Sequence, residues 1–359
     1  EKYLRQCLES LVSQSYENLE LILVAGTGDD ACIKICEEYE KKDDRIKLIT
    51  EEPKGTASAR NSGLEAACGD YIGFVDGDDY IKSDMIESLV KVLEDNGADI
   101  AVSGKYYLYE NCIEPDFPEH AAQADAGPAS GLGGGGEHGT GEKADAGAVP
   151  GVLRILSRQE AFSTILYQNG FFLHIWDKLY KRELFDDIRF DSGKKVEDRF
   201  VCYRLLNKAS KIAYLRQPKY YFRMSADSGS KVEDNLAKSF EADKLICNEI
   251  LKDYPSLLAA CDFFIVYEAI SVIQNSMLYG NFSKEHDKDC LEIVRTFYKS
   301  VYNNREVSKQ IRIKIFLCVH FPRILKKFTI NRRKKFLSTH KLFSSGVDWN
   351  RVFDEQKIS

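Results

Sequence analysis

Three carboxylates lie within four residues at Asp76, Asp78 and Asp79, directly after the apolar run at 71–75. Such charges repel one another, so a fold tolerates them in a solvated turn or around a cation. The one-residue spacing lets Asp76 and Asp78 turn toward one point, and hard divalent cations such as Mg²⁺ and Mn²⁺ prefer these oxygen ligands. On these four residues alone, an acidic turn and a metal site both remain open.

The elements around this acidic group follow a regular order. Apolar runs predict strands at 19–24, 45–50, 71–75 and 99–102, and helical spacing predicts helices between them at 29–41, 56–68 and 83–94. This alternation predicts an α/β fold with a mostly parallel sheet covered by helices on both faces. Ligands bind beyond the carboxyl ends of such strands, and the acidic group lies at one of these ends.

A longer pattern precedes the acidic group. The run from Gly55 to Leu64 reads GTASARNSGL, and AACGDY follows it at 66–71. This pattern resembles the family 2 glycosyltransferases of the GT-A fold, and the similarity extends with gaps from residue 2 to about residue 225. The resemblance implies that a sugar moves from a nucleotide-sugar donor, with a UDP-sugar favoured. Asp76 and Asp78 would hold Mg²⁺ or Mn²⁺ on the donor diphosphate.

The resemblance also implies further donor-binding residues. Arg60 and Asn61 would contact the nucleotide side, and Asp79 the donor sugar or the metal shell. Arg223 matches an arginine that meets the diphosphate in this family. An alternative dinucleotide site at Gly26-Thr27-Gly28 is disfavoured, because no third glycine follows at the required offset.

Two later runs resemble the acceptor side of the family. In VEDRF, Asp198 would be the catalytic base that deprotonates the acceptor hydroxyl, and Glu197 would bind the acceptor or orient the base. Adjacent acids at a helix start are also favoured by the helix dipole alone. In WDKLYKRELF, Trp176 would contact the acceptor or pack in the core. Lys178 would reach a phosphate or be a solvated lysine.

Two family elements differ in this sequence. The family opens with a strand and a "P.YN" turn before the first helix, and the sequence has neither. In the "VDDGS" turn that reads the nucleobase, Ala25 replaces the first acid. A catalytically impaired remnant, which binds a sugar or a partner without turnover, is therefore the alternative to an active transferase.

Composition restricts the class of protein. The net charge is −6, and the segment 115–150 carries six acids and one base, so the remainder is near neutral and predicts no nucleic-acid binding. Ten cysteines without a CxxC pair or a His–Cys cluster at zinc spacing predict reduced thiols in a cytoplasmic protein. The sequence shows no signal peptide, and without a run of 18 apolar residues we expect no transmembrane helix.

The chain divides into four predicted parts. Residues 1–114 form the nucleotide-sugar-binding half and 151–230 the acceptor half, separated by a disordered Gly/Ala-rich insert at 115–150. Residues 231–359 form a helical C-terminal region. Its segment 311–337 has nine basic residues, no acid and interleaved apolar residues, which predicts binding to an anionic membrane or a solvated helical face. The family analogy points to surface polysaccharide synthesis at the inner membrane face, and a membrane-surface adaptor is a third hypothesis.

Overall fold

The computed structural model describes residues 1–116, 153–193, 196–225, 233–279 and 284–341. The predicted insert at 115–150 lies almost wholly outside the described residues and stays a prediction.

The N-terminal part alternates helices and strands as expected. Its elements are α1 (Leu4–Val12), β1 (Leu21–Gly26), α2 (Asp30–Glu40), β2 (Ile46–Glu51), α3 (Thr56–Ala66) and β3 (Tyr71–Gly73). β1 and β2 pair in parallel, as a strand–helix–strand unit requires. Leu8, Ile35 and Tyr39 of the two helices pack with Leu21 and Ile46 of the strands in a small core of their own.

The main sheet is built from the later strands and β3. The elements that follow β3 are β4 (Tyr80–Ile81), α4 (Met85–Asn96), β5 (Ile100–Leu108), β6 (Ile113–Pro115), β7 (Leu153–Leu156), α5 (Arg158–Leu166), β8 (Lys178–Lys181), α6 (Glu197–Lys208) and β9 (Ile212–Arg223). The strand order is β3-β8-β5-β9-β4, with β6 on β5 and β7 on β9. β5 and β8 are largely buried at the centre of this sheet.

The predicted strand direction needs correction. Only β1/β2 and β5/β9 are parallel among the described pairs, and the other five pairs are antiparallel. The α/β class holds, but the strand–helix alternation on which the prediction rested is interrupted, because no helix separates β3 from β4 or β5 from β6. β6, for example, follows β5 after a short turn at 109–112, and such a short connection forces an antiparallel pair.

The C-terminal region is helical, as predicted. It comprises α7 (Glu233–Asp253), α8 (Leu258–Tyr279), α9 (Lys284–Asn303), α10 (Lys309–His320) and α11 (Pro322–Thr339). An ion pair joins it to the sheet domain: the Arg199 guanidinium at the start of α6 donates to both carboxylate oxygens of Asp243, which is fully buried in α7. The helices therefore pack as a continuation of the domain.

One helix among the described residues is long and apolar enough to cross a membrane, although the sequence has no uninterrupted apolar run of that length. It spans Pro255–Leu278, with a mean hydropathy of 1.8 in its most apolar window, 56% of which is buried inside the protein. Phe263, Val266 and Ile273 of this helix lie in the main hydrophobic core. This burial is typical of the central helix of a packed helical region.

Candidate functional site

The acidic group lies in the loop between β3 and β4. The backbone N–H of Asp79 donates to the carbonyl of Asp76 at 3.0 Å, which closes the turn. The N–H of Asp76 donates to the hydroxyl oxygen of Tyr220 at 3.2 Å, which anchors the turn to β9. Asp78 is exposed, and the Asp76 side chain is 34% exposed. The loop thus has a fixed backbone and two accessible carboxylates.

Asp79 points the other way, into the interior. Its carboxylate accepts hydrogen bonds from the Tyr220 hydroxyl and from the Arg223 backbone N–H, both at 2.8 Å, and the residue is 2% exposed. Burial raises the pKa of Asp79 to about 8. The expected contact with the donor sugar or the metal shell does not fit this arrangement, because both oxygens already hold the loop to β9.

Arg223 supports the same loop from behind. Its Nε donates to the Asp78 carbonyl and its Nη2 to the Gln6 side chain, both at 2.7 Å. Its guanidinium also lies 3.9 Å from the centre of the Tyr3 ring, and the residue is buried. In this structure Arg223 positions the backbone of the acidic loop, and its contact with the diphosphate stays a prediction.

Arg60 joins the acidic loop to the start of α6. Its Nη2 lies 3.2 Å from Asp76 Oδ1, and its Nη1 lies 3.4 Å from Glu197 Oε1. The guanidinium also lies 5.5 Å from the centre of the Phe190 ring, which limits its movement. α3 therefore brings a cation to the place where the two predicted pairs of carboxylates meet.

The electrostatics of this place favour a positive partner. Burial raises the pKa of Asp76; the charge of Arg60 opposes the rise, and the charges of Asp78 and Asp198 add to it. Burial also raises the pKa of Glu197, as do the neighbouring charges of Asp198 and Asp76. Four carboxylates thus share the region that the Arg60 guanidinium contacts, and a divalent cation would reduce their mutual repulsion.

The predicted base lies in the first turn of α6. Asp198 is partly exposed, and its Oδ1 accepts from the backbone N–H of Arg199 at 2.9 Å. Val196, immediately before the helix, has a φ of +59°, which is strained for a β-branched residue. The strained entry to α6 directs Glu197 toward Arg60 and leaves Asp198 partly open to solvent.

Asn61 and Lys178 do not reach the site. The Asn61 side chain pairs with both backbone polar groups of Phe190, at 2.8 and 2.9 Å, which ties α3 to the loop before α6. The Lys178 ammonium is fully buried and donates to the carbonyls of Phe172 and His174 at 2.9 and 2.7 Å and to the Asp177 carboxylate. These contacts occupy the polar atoms with which Asn61 would bind the nucleotide and Lys178 the acceptor. In this structure both side chains have structural roles instead.

Trp176 packs in the core, which was the alternative role open to it. It is 5% exposed and stacks on His174, Tyr220 and Phe222, with ring centres 4.8, 4.4 and 5.2 Å apart. Because Tyr220 also anchors Asp76 and Asp79, Trp176 supports the acidic loop through this ring.

A cavity of about 290 Å³ opens beside the site. It is lined by residues of β1, of α3 and of the segment 71–77, with Arg60 and Asp76 among them. Among the described residues, β1 pairs with β2 alone and β3 with β8 alone. The cavity therefore separates two sheets whose facing edges are unpaired.

Sequence reasoning missed the residues that hold the acidic loop from below. Tyr220, Gln6 and Phe190 contact Asp76, Arg223 and Arg60 respectively. The one available signal was the period of two in KYYFR at 219–223, which places Tyr220 on the face of β9 opposite to Tyr221. Gln6 carries no such signal, since it is one polar residue in an amphipathic helix.

Two relatives of this chain are named as glycosyltransferases. GlyA of Streptococcus pneumoniae, described as a glycosyltransferase, is 34% identical over 232 residues, which cover 65% of this chain and 30% of GlyA. The glycosyltransferase GlyG of the same organism is 31% identical over 237 residues, which cover 66% of this chain and 71% of GlyG. The chain thus spans less than a third of one relative and most of the other.

The fold and the family agree with these relatives. The structure of Staphylococcus aureus TarS residues 1–349 in complex with UDP-GlcNAc superimposes with a TM-score of 0.59 at 17% identity, and covers 97% of this chain and 92% of that one. This similarity confirms the predicted GT-A-like α/β fold with its helical C-terminal region. The model of the family described as glycosyl transferase family 2 matches residues 1–189, more than half of the sequence. The chain therefore belongs to glycosyl transferase family 2.

Proposed function

We propose that this protein is an inverting, metal-dependent glycosyltransferase that moves a sugar from a nucleotide-diphosphate sugar to a saccharide or lipid-linked acceptor. One observation carries the proposal: Arg60 contacts both Asp76 and Glu197. Through this contact the carboxylates of the acidic loop and those at the start of α6 share one partly exposed region, so donor and acceptor groups would meet there.

Asp76 and Asp78 are the residues that would hold Mg²⁺ or Mn²⁺. They fit a hard cation because they offer only oxygen ligands, are accessible from solvent and lie in a region with excess negative charge. Bound there, the metal would stabilise the negative charge that develops on the leaving diphosphate.

The chain's own residues supply the remaining chemistry. The Asp198 carboxylate accepts the proton of the acceptor hydroxyl, whose oxygen forms a bond to the anomeric carbon. The bond from this carbon to the diphosphate oxygen breaks, and its electron pair leaves with the nucleoside diphosphate. Glu197 is held by Arg60 and orients the acceptor or the base. A general base of this kind contributes about 10²–10⁴-fold to the rate, and one displacement inverts the anomeric centre.

The choice of donor is supported by structural neighbours of this chain. The TarS structures in complex with UDP-GlcNAc and with UDP support a UDP-sugar as the donor of this chain. The acceptor belongs to surface polysaccharide synthesis by family analogy, which would place the protein at the cytoplasmic face of the membrane.

A surface on α10 and α11 supports membrane contact. Ile313, Phe316, Phe321, Ile324 and Phe328 are each between 38 and 58% exposed, whereas Leu325 of the same segment is buried. We call these five residues the apolar ridge. Exposed basic side chains flank it at Arg323, Lys327, Arg332 and Lys335. Apolar side chains surrounded by cations match the interface of an anionic bilayer.

Two substitutions test the catalytic assignment. Asp198→Asn keeps the shape but removes the proton acceptor, so we expect sugar transfer to fall at least 100-fold while UDP–Mn²⁺ binding stays within about twofold. Asp78→Asn should weaken both, because it removes negative charge from the cation site. Asp95→Asn, an exposed acid at the end of α4, is the matched control. Parental transfer by Asp198→Asn would contradict the base, and equal UDP binding with Mn²⁺ or EDTA would contradict the metal site.

The competing function is a catalytically impaired remnant. Ala25 near the end of β1 and the cavity between the unpaired edges of β1 and β3 support it. Isothermal titration and a donor-hydrolysis assay separate the two functions. A remnant would bind UDP-sugars without releasing UDP, whereas the transferase releases UDP even when water is the acceptor.

A further inference from the structure

The turn between β5 and β6 and the end of α11 meet at a joint away from the acidic loop. Asn111 donates from Nδ2 to the carbonyl of Thr339 and accepts at Oδ1 from the N–H of Lys341, both at 2.7 Å. The N–H of Glu110 donates to the carbonyl of Lys341 at 2.8 Å. The joint therefore fixes two segments that are 228 positions apart in the sequence.

Three side chains that can bind metal converge at this joint. One ligand atom each of Cys112, Glu114 and His340 lies within 4.8 Å of the other two. His340 Nε2 is 2.9 Å from Glu114 Oε1. The imidazole stacks on Phe336 with ring centres 4.3 Å apart and meets the edge of Tyr109 at 4.6 Å. Packing thus holds the imidazole in one orientation.

The other ring nitrogen of His340 is oriented as in metal-binding histidines. Nδ1 lies 2.7 Å from the Thr339 hydroxyl and 3.0 Å from the carbonyl of Phe336. In the tautomer with the hydrogen on Nδ1, the ring donates to this carbonyl, because a carbonyl oxygen only accepts. In that tautomer the lone pair of the neutral ring is on Nε2, directed at Glu114. Metal-ligating histidines commonly donate their second N–H to a backbone carbonyl in this way.

In the same tautomer, Nε2 and the Glu114 carboxylate present lone pairs to each other. A positive centre satisfies both groups, and it is either a proton on the ring or a metal ion. A proton needs no third partner, whereas the sulfur of Cys112 adds a soft ligand that suits a zinc-class ion. The presence of this third ligand atom favours the metal.

We propose that Cys112, Glu114 and His340 bind Zn²⁺, with water in the fourth position, and that the ion fastens α11 to the turn between β5 and β6. Zn–S bonds of about 2.3 Å and Zn–N and Zn–O bonds of about 2.0 Å place tetrahedral ligand atoms roughly 3.3–3.6 Å apart. The Nε2–Oε1 distance would lengthen slightly, and the sulfur would close in by side-chain rotation. This site is independent of the acidic loop and of sugar transfer.

Cobalt(II) gives a direct test, because a cobalt–thiolate bond has an intense near-ultraviolet charge-transfer absorption. We expect this band when Co²⁺ is added to the whole chain, and its loss on addition of excess Zn²⁺. Cys112→Ser should remove the band, and His340→Gln should weaken Co²⁺ binding at least tenfold. Cys68→Ser, which changes an exposed cysteine elsewhere, is the matched control. A band that survives in Cys112→Ser, or none in the parent, would overturn the proposal.

Hydrogen exchange tests the fastening itself. If opening of the joint releases the ion, Zn²⁺ at 100 times its Kd should slow exchange of the Lys341 and Glu110 amides about 100-fold. In Cys112→Ser, the exchange rates of these two amides should be the same with and without Zn²⁺. If Zn²⁺ does not slow exchange in the parent, the proposal is wrong and His340 and Glu114 form an ion pair without a metal.

Discussion

Arg60 and Glu197 lie 137 positions apart in the sequence, yet Arg60 Nη1 is 3.4 Å from Glu197 Oε1. The contact connects the small-residue helix of the donor half with the helix that carries the predicted base. Because the other Arg60 nitrogen faces Asp76, this guanidinium keeps two groups of like charge at a fixed separation.

Replacement of this guanidinium should reduce transfer without unfolding the protein. Arg60→Met removes charge-assisted contacts with Asp76 and Glu197 that are worth roughly 1.5–3 kcal/mol. We expect kcat/KM for sugar transfer to fall about 10–100-fold. Arg204→Met, at an exposed arginine of α6, is the matched control. Similar losses in both variants would show that Arg60 has no special connecting role.

Glu268 should make the stability of the C-terminal helices depend on pH. Burial and the negative charge of Asp243 raise its pKa from 4.5 to about 7, and the charge of Arg199 opposes the rise. Between pH 4.5 and about pH 7, the folded chain retains a proton on Glu268 that the unfolded chain releases. Stability from this group therefore falls as pH rises, by at most about 1.4 kcal/mol per pH unit.

Urea unfolding across this window measures the effect. Glu268→Gln removes the titration, so the difference in free energy of unfolding between variant and parent should move in favour of the variant as pH rises. Glu249→Gln, at an exposed carboxylate of α7, should show a constant difference. Identical pH dependence in parent and Glu268→Gln would contradict the prediction.

The apolar ridge and its basic flank should bind anionic vesicles. Each basic residue near such a surface contributes about 1 kcal/mol, or roughly fivefold in affinity. Glutamine at Lys327, Arg332 and Lys335 should therefore weaken binding about 100-fold, and added salt should reduce the difference. Sedimentation with vesicles containing phosphatidylserine measures both effects.

A control with the same change in net charge separates this surface from general attraction. Glutamine at Lys42, Lys91 and Lys252, which are 64–75% exposed, leaves α11 intact. If the two triple variants weaken vesicle binding equally, the basic segment is a solvated helical face and not a membrane-binding surface.

The residue types and spacing predicted the backbone of the site better than the direction of its side chains. Asp76 and Asp78 lie at an accessible loop as expected, because a strand followed by closely spaced acids restricts where those acids lie. The next acid in the run, Asp79, turns inward because its carboxylate accepts hydrogen bonds there from the Tyr220 hydroxyl and the Arg223 N–H. These partners are about 140 positions away in the sequence. Local sequence does not encode such partners.

The same limit applies to motif residues that became structural. Lys178 lies in a run that resembles the acceptor side, but its ammonium is enclosed by carbonyls that the turn at 172–174 supplies. The pattern of apolar residues shows that this segment is buried, and it does not show which polar atoms are buried with it. Cys112 and His340 escaped detection for a related reason, because zinc spacing rules apply to ligands close in sequence.

The ion pair between Arg199 and Asp243 restricts how this enzyme can be recombined with its relatives. The family match ends at residue 189, and a junction there keeps Arg199 and Asp243 in one piece, whereas a junction between β9 and α7 separates them. A graft of foreign C-terminal helices without an acid facing Arg199 would bury an uncompensated guanidinium, at a cost of about 3–5 kcal/mol. Since a domain has roughly 5–15 kcal/mol of stability, such a hybrid would sit near its folding threshold. Exchange of acceptor specificity between family members would therefore have to carry this carboxylate with it.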